Sequence, residues 1–129
     1  MAYSGQEFRE KYTSIEDADI IAVVMIAEQM SGLSKKASEL VTDWLHQMQV
    51  SGPGTIDLKL DDHLHSDDDV NDFLGLLNLV RNKIRAYGDV IPANVLNERA
   101  GSVAMGITFV DYQSQLIMSV LDKLEALVT

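Results

Sequence analysis

Over most of the chain apolar residues recur every three or four positions, the spacing that places them on one stripe of an α-helix. The clearest example is Val70, Phe73, Leu77, Val80, Ile84 and Tyr87. Ser66 and Asp69 have the spacing of a reciprocal N-terminal cap before this run, and Gly88 suits its end. Asp67, Asp68 and Asp69 in the first turn, with Arg81, Lys83 and Arg85 towards the end, complement the helix dipole at both termini. A second amphipathic helix is predicted from Ser34 to about Gln49, with Ala37, Leu40, Val41, Trp44, Leu45 and Met48 on its apolar face. Ser51-Gly52-Pro53-Gly54 must stop it, because proline lacks an amide donor and glycine favours turns. The last helix, about Tyr112 to Val128, presents Leu116, Ile117, Val120, Leu121, Leu124 and Leu127 on a broad face.

Other stretches follow different rules. Ile20 to Ala27 is apolar all round, as expected of a helix central to a core; the spacing of Ser14 and Asp17 opens it at Ile15, and it runs to about Ser31 before Gly32. Ser4 and Glu7 have the same spacing and predict a short first helix, Gly5 to Tyr12. From Thr55 the period falls to two, with Ile56, Leu58 and Leu60 alternating with Asp57, Lys59 and Asp61, which predicts a strand with one buried face. Pro92 opens a short helix to about Ala100, and Val103 to Phe109 reads as a second strand. The expected fold is α+β and predominantly helical, about five to six helices with a small two-stranded β element covered by the long and final helices. An all-α bundle is the alternative. A length of 129 residues with 47% hydrophobic content points to a single domain, residues 1–129, able to close a core without a staple.

Charge changes the picture more than composition does. There are 20 acidic against 10 basic side chains, a net charge of −10. Seven aspartates and one lysine fall between Asp57 and Asp72, so much of this charge is local. A field of this sign repels phosphates and favours a cationic partner. There are no cysteines, which excludes disulfides and thiolate chemistry and fits a reducing compartment. Met1 to Tyr12 carries Glu7, Arg9, Glu10 and Lys11 without an apolar signal region, and the longest apolar run, Ile20 to Ala27, is far short of the ~20 residues that span a bilayer. The expected location is cytoplasmic, with no membrane partner.

Chemical motifs are sparse. Asp61, Asp62, His63, His65, Asp67, Asp68 and Asp69 include metal-ligating types, but counting from Asp61 an EF-hand loop requires glycine where Ser66 stands and glutamate where Asp72 stands. His63 and His65 lack a third ligand spaced for zinc. No metal and no cofactor are expected. The chain has no G-x-S-x-G, no G-x-x-x-x-G-K and no H-E-x-x-H, and neighbouring exposed aspartates do not separate their pKa values, so it reads as a non-enzyme. Arg81 to Gly101 faintly outlines a helix-turn-helix with Arg81, Lys83, Arg85 and Arg99, set against Glu98 and the overall acidity. Trp44, Met25 and Met48 lie within apolar helical stripes and read as core rather than as a pliable docking surface.

These readings favour a small acidic protein-binding module whose partner is a basic protein. An immunity or inhibitor protein that neutralises a basic toxin or nuclease is the most concrete version. The partner-binding residues would be Asp61, Asp62, Asp67, Asp68, Asp69 and Asp72, which can steer a cation and occupy sites meant for phosphate. Two other classes compete with it: a structural or assembly protein acting as a homodimer through an apolar helix face, and a DNA-binding regulator.

Overall fold

The computed structural model describes residues 2–100 and 108–129, with side chains 98–100 left aside. Among these, β1 (Tyr3–Phe8) and β2 (Lys11–Glu16) lead into α1 (Asp17–Glu28), α2 (Lys35–Val50), the one-turn α3 (Leu60–His63) and the long α4 (Asp67–Tyr87). β3 (Val90–Ile91), α5 (Ala93–Ala100), β4 (Tyr112–Gln113) and α6 (Ser114–Val128) complete the order. The fold is α+β and predominantly helical. β1 pairs antiparallel with β2, and β3 with β4, as two separate ribbons.

α1 forms the centre. Ile20 through Ala27 are all buried, which matches a helix apolar on every side, and α2, α4, α5 and α6 pack around it. α2 and α4 bring Trp44 and Phe73 together edge to face, their ring centroids 6.1 Å apart. Trp44, Met25 and Met48 are buried, as their positions on apolar stripes require. α4 and α6 lie together, and Arg81 pins them: its guanidinium donates to Asn78 Oδ1 and Glu125 Oε1, each at 2.9 Å, and to Asp122 Oδ1 at 3.1 Å.

The chain start corrects one expectation. Instead of a helix over Gly5 to Tyr12, the structure has the β1–β2 hairpin, in register Tyr3 with Glu16 through Phe8 with Lys11. Its turn is formed by Arg9 and Glu10, both left-handed at φ 47° and 72°. Ser4 caps no helix of its own. It is buried, donates through Oγ to Asp17 Oδ1 at 2.5 Å, and accepts Ile56 N–H at 3.0 Å. The central helix accordingly begins two residues later than its predicted start, at Asp17.

The strand expected from Thr55 is also corrected. Ile56, Leu58 and Leu60 are buried in the predicted alternation, but no strand among the described residues pairs with this segment. Side chains of β1 take the place of a neighbouring strand. Gln6 donates Nε2–H to Ile56 O at 2.8 Å and accepts Leu58 N–H on Oε1 at 2.9 Å, so one primary amide serves as a surrogate peptide group. Trp44 Nε1–H reaches Leu58 O at 3.0 Å from the other side. Asp17 completes the junction by accepting Gly54 N–H at 2.8 Å, in a turn where Gly54 has φ +75°. The same device recurs at the other end of the chain, where Asn97 clasps Phe109 through N–H and C=O, both at 2.7 Å. Most of the second predicted strand, Val103 to Phe109, lies outside the described residues; Thr108 and Phe109 are not in a strand.

Candidate functional site

The acidic segment folds into α3, a three-residue link and the first turn of α4. Ser66 is the N-cap of α4 and accepts Asp69 N–H at 3.2 Å, while the Asp69 carboxylate reaches back to His65 N–H at 3.0 Å. This is the reciprocal cap expected from the spacing, displaced by one residue on the return bond. Lys36 of α2 stands behind it, 4.0 Å from Asp69 and 3.7 Å from Glu39, and donates to His63 O at 3.1 Å. The His63 ring lies 2.9 Å from Asp43 Oδ2.

The six aspartates singled out from the sequence therefore divide. Asp61 accepts Arg9 N–H at 3.1 Å and holds the hairpin turn against α3. Asp69 is half-buried and engaged by the helix cap and Lys36. Asp72 is half-buried one turn further on. Asp62, Asp67 and Asp68 are exposed, and none of their carboxylates has a hydrogen bond or ion pair among the described residues. Asp57, outside that set, turns back on its own chain to accept Lys59 N–H at 2.8 Å.

The residues of the other candidate sites can be placed as well. Among the described residues no group of three or more His, Cys, Asp or Glu side chains could hold a metal. Of the basic residues of the faint helix-turn-helix, Arg81 is buried between Asp122 and Glu125, whereas Lys83 and Arg85 are exposed, Lys83 over the Tyr87 ring at 5.6 Å and Arg85 donating to Asn82 at 3.1 Å; the Arg99 side chain lies outside the described residues. The link between those two helices is itself occupied, because Val90 and Ile91 pair with Gln113 and Tyr112. A groove of about 470 Å³ runs between Arg85, Val90, Gln113 and Gln115. Its one hydroxyl, Ser114 Oγ, is committed to Gly88 O at 2.6 Å.

Among the described residues one titratable group is strongly perturbed. Tyr112 donates its hydroxyl proton to Asp19, and its ionisation is pushed far above the usual tyrosine range, first by burial and then by the carboxylates of Asp19 and Glu16. This phenol is held neutral and serves to tie β4 to α1. No helix among the described residues is long and apolar enough to cross a membrane.

The hairpin presents residues that the sequence patterning passed over. Its inward face carries Ser4, Gln6, Phe8 and Ile15, all buried, while Tyr3 and Tyr12 remain 56% and 65% exposed on the other. The detectable signal was the alternation itself, hidden because half of the inward residues are polar. Searches of protein-family models, of curated proteins and of solved structures each return no match to this chain.

Proposed function

We propose that the protein is a small acidic binding module that docks a basic protein against α3 and the start of α4. The single observation that carries this reading is the division among the aspartates. Asp57, Asp61 and Asp69 satisfy the chain's own amides, whereas Asp62, Asp67 and Asp68 remain exposed without an internal partner. Uncompensated carboxylates raise the local concentration of a cationic partner and accelerate its association. Neutralisation of a basic toxin or nuclease fits this chemistry, since carboxylates so presented can fill sites that would otherwise take phosphate. The competing use of these residues, stabilisation of the α4 N-terminus, accounts for Ser66 and for Asp67, Asp68 and Asp69 in the first turn but does not involve Asp62.

The test compares charge-matched variants. Association of a short oligolysine peptide is measured over a range of salt for the native protein, for Asp67→Asn/Asp68→Asn, and for Asp89→Asn/Asp111→Asn on the β3–β4 flank. The first variant should bind more slowly with a shallower salt dependence, and the second should match the native protein. Equal loss in both would show that only net charge matters and would remove the docking role.

A further inference from the structure

The outward face of the β1–β2 hairpin has a composition unlike that of an ordinary solvated ribbon. Its cross-strand pairs are Tyr3 with Glu16, Gly5 with Ser14, and Glu7 with Tyr12. Each end thus carries one tyrosine opposite one glutamate, and the centre is a low Gly–Ser step. Directly opposed side chains have Cβ atoms about 4.5–5.5 Å apart, so each tyrosine and its glutamate leave the sheet side by side. No cation projects from the outward positions of the two strands, and the nearest described cations, Lys11 and Lys123, line a groove beside Tyr12. Arg9 folds over the Phe8 ring at 4.8 Å, and Lys11, which follows the turn, reaches Ala126 O at 3.3 Å. Neither the Glu7 nor the Glu16 carboxylate has a hydrogen bond or ion pair among the described residues, and Glu16 makes no side-chain cap to α1.

The Tyr12 ring is also held in place. A Cβ added at Gly5 would lie 2.6 Å from Tyr12 Cε2 and 3.1 Å from Cζ, so the ring leans across the glycine and occupies the space a side chain there would fill. An exposed aromatic positioned by its own sheet loses little freedom on binding, which is the property that makes tyrosine effective in recognition surfaces.

We infer that this face is a second contact for the basic partner and that it recognises arginine: each Tyr–Glu corner offers a π surface for a guanidinium plane and a carboxylate for its N–H edge. The inference rests on the proposed docking of a cationic protein and adds the side chain read and the place where it is read. Lysine satisfies the carboxylate but stacks less well on a ring, so the two cations are distinguishable.

The test uses short peptides of alternating arginine and glycine, or lysine and glycine, titrated into the full chain while its backbone amides are followed by NMR. The arginine peptide should move the Gly5, Glu7, Ser14 and Glu16 amides and bind about fivefold or more tightly than the lysine peptide. Tyr3→Ser/Tyr12→Ser should lose about that factor, and Gly5→Ala, which displaces the Tyr12 ring without removing it, should lose part of it. Equal affinity for the two peptides overturns the inference. Shifts confined to Asp62, Asp67 and Asp68 overturn the hairpin contact while leaving the aspartate surface standing, and absence of binding at either place removes both. Self-association of the native chain that Tyr3→Ser/Tyr12→Ser abolishes would also overturn it, by assigning the face to a second copy.

Discussion

Replacing Gln6 by leucine tests whether side chains can stand in for a strand. Gln6 is 1% exposed and makes both of its bonds to one extended segment, Nε2–H to Ile56 O and Oε1 from Leu58 N–H. Leucine has a similar shape but leaves Leu58 N–H without its acceptor and removes one partner of the Ile56 carbonyl. Each of these two buried backbone groups costs about 1–3 kcal/mol when left unsatisfied, about 4 kcal/mol together at the middle of that range, and added apolar burial offsets about 1 kcal/mol. The expected loss is about 2–4 kcal/mol. With a urea slope of about 2 kcal/mol/M the unfolding midpoint should fall by about 1–2 M, with the slope itself unchanged. Gln6→Glu gives an independent check on sign. A carboxylate there faces Ile56 O and is buried, so its folded pKa rises above the unfolded value near 4.3. The native state then binds the extra proton, and this variant should regain stability as pH falls through the raised folded pKa towards the unfolded one. A Gln6→Leu loss below about 0.5 kcal/mol, within the usual range for a neutral surface substitution, would refute the argument that this amide closes the segment.

Further outcomes follow from the same geometry. Arg9→Asn/Glu10→Gly replaces two left-handed residues by the pair that a two-residue hairpin turn prefers, and chemical denaturation should show a gain of about 1–2 kcal/mol. Ser66→Ala should cost about 1 kcal/mol by the same measurement, because it frees the Asp69 amide. Tyr112→Phe removes a phenol whose folded ionisation is raised, so the native protein should lose stability as pH climbs above about 10 and the variant should lose less over that range. A variant as alkali-sensitive as the native protein would show that this phenol is not the titrating group.

The legible elements were those whose cause is local. α2 and α4 follow from an apolar stripe bounded by Ser34 and Ser66, each of which accepts an amide of its helix's first turn. The hairpin was hidden for two physical reasons. Its inward face is half polar, since Ser4 and Gln6 face Asp17 and the 56–58 segment, so no hydrophobic period of two emerges. Its turn is Arg9-Glu10, where a recognisable turn would have Asn-Gly. The spacing of Ser4 and Glu7 imitated a cap although Ser4 binds partners 13 and 52 positions away. Burial at Ile56, Leu58 and Leu60 was readable from their alternation, but their hydrogen-bond partners were not, because those are side chains of a distant element. Distance in sequence likewise concealed which aspartates are engaged: the partner of Asp61 lies 52 residues away, and Lys36 reaches Asp69 from another helix.

The claim that matters most is that Asp62, Asp67 and Asp68 are displayed for another molecule. Zero-length carbodiimide cross-linking in extract of the native host, with linked residues mapped by mass spectrometry, addresses it most directly. The account predicts bonds from these three carboxylates to lysines of one basic protein, weakened by added salt. Cross-links to a partner that bypass all three, or that involve them only in bonds to this chain's own lysines, would contradict it.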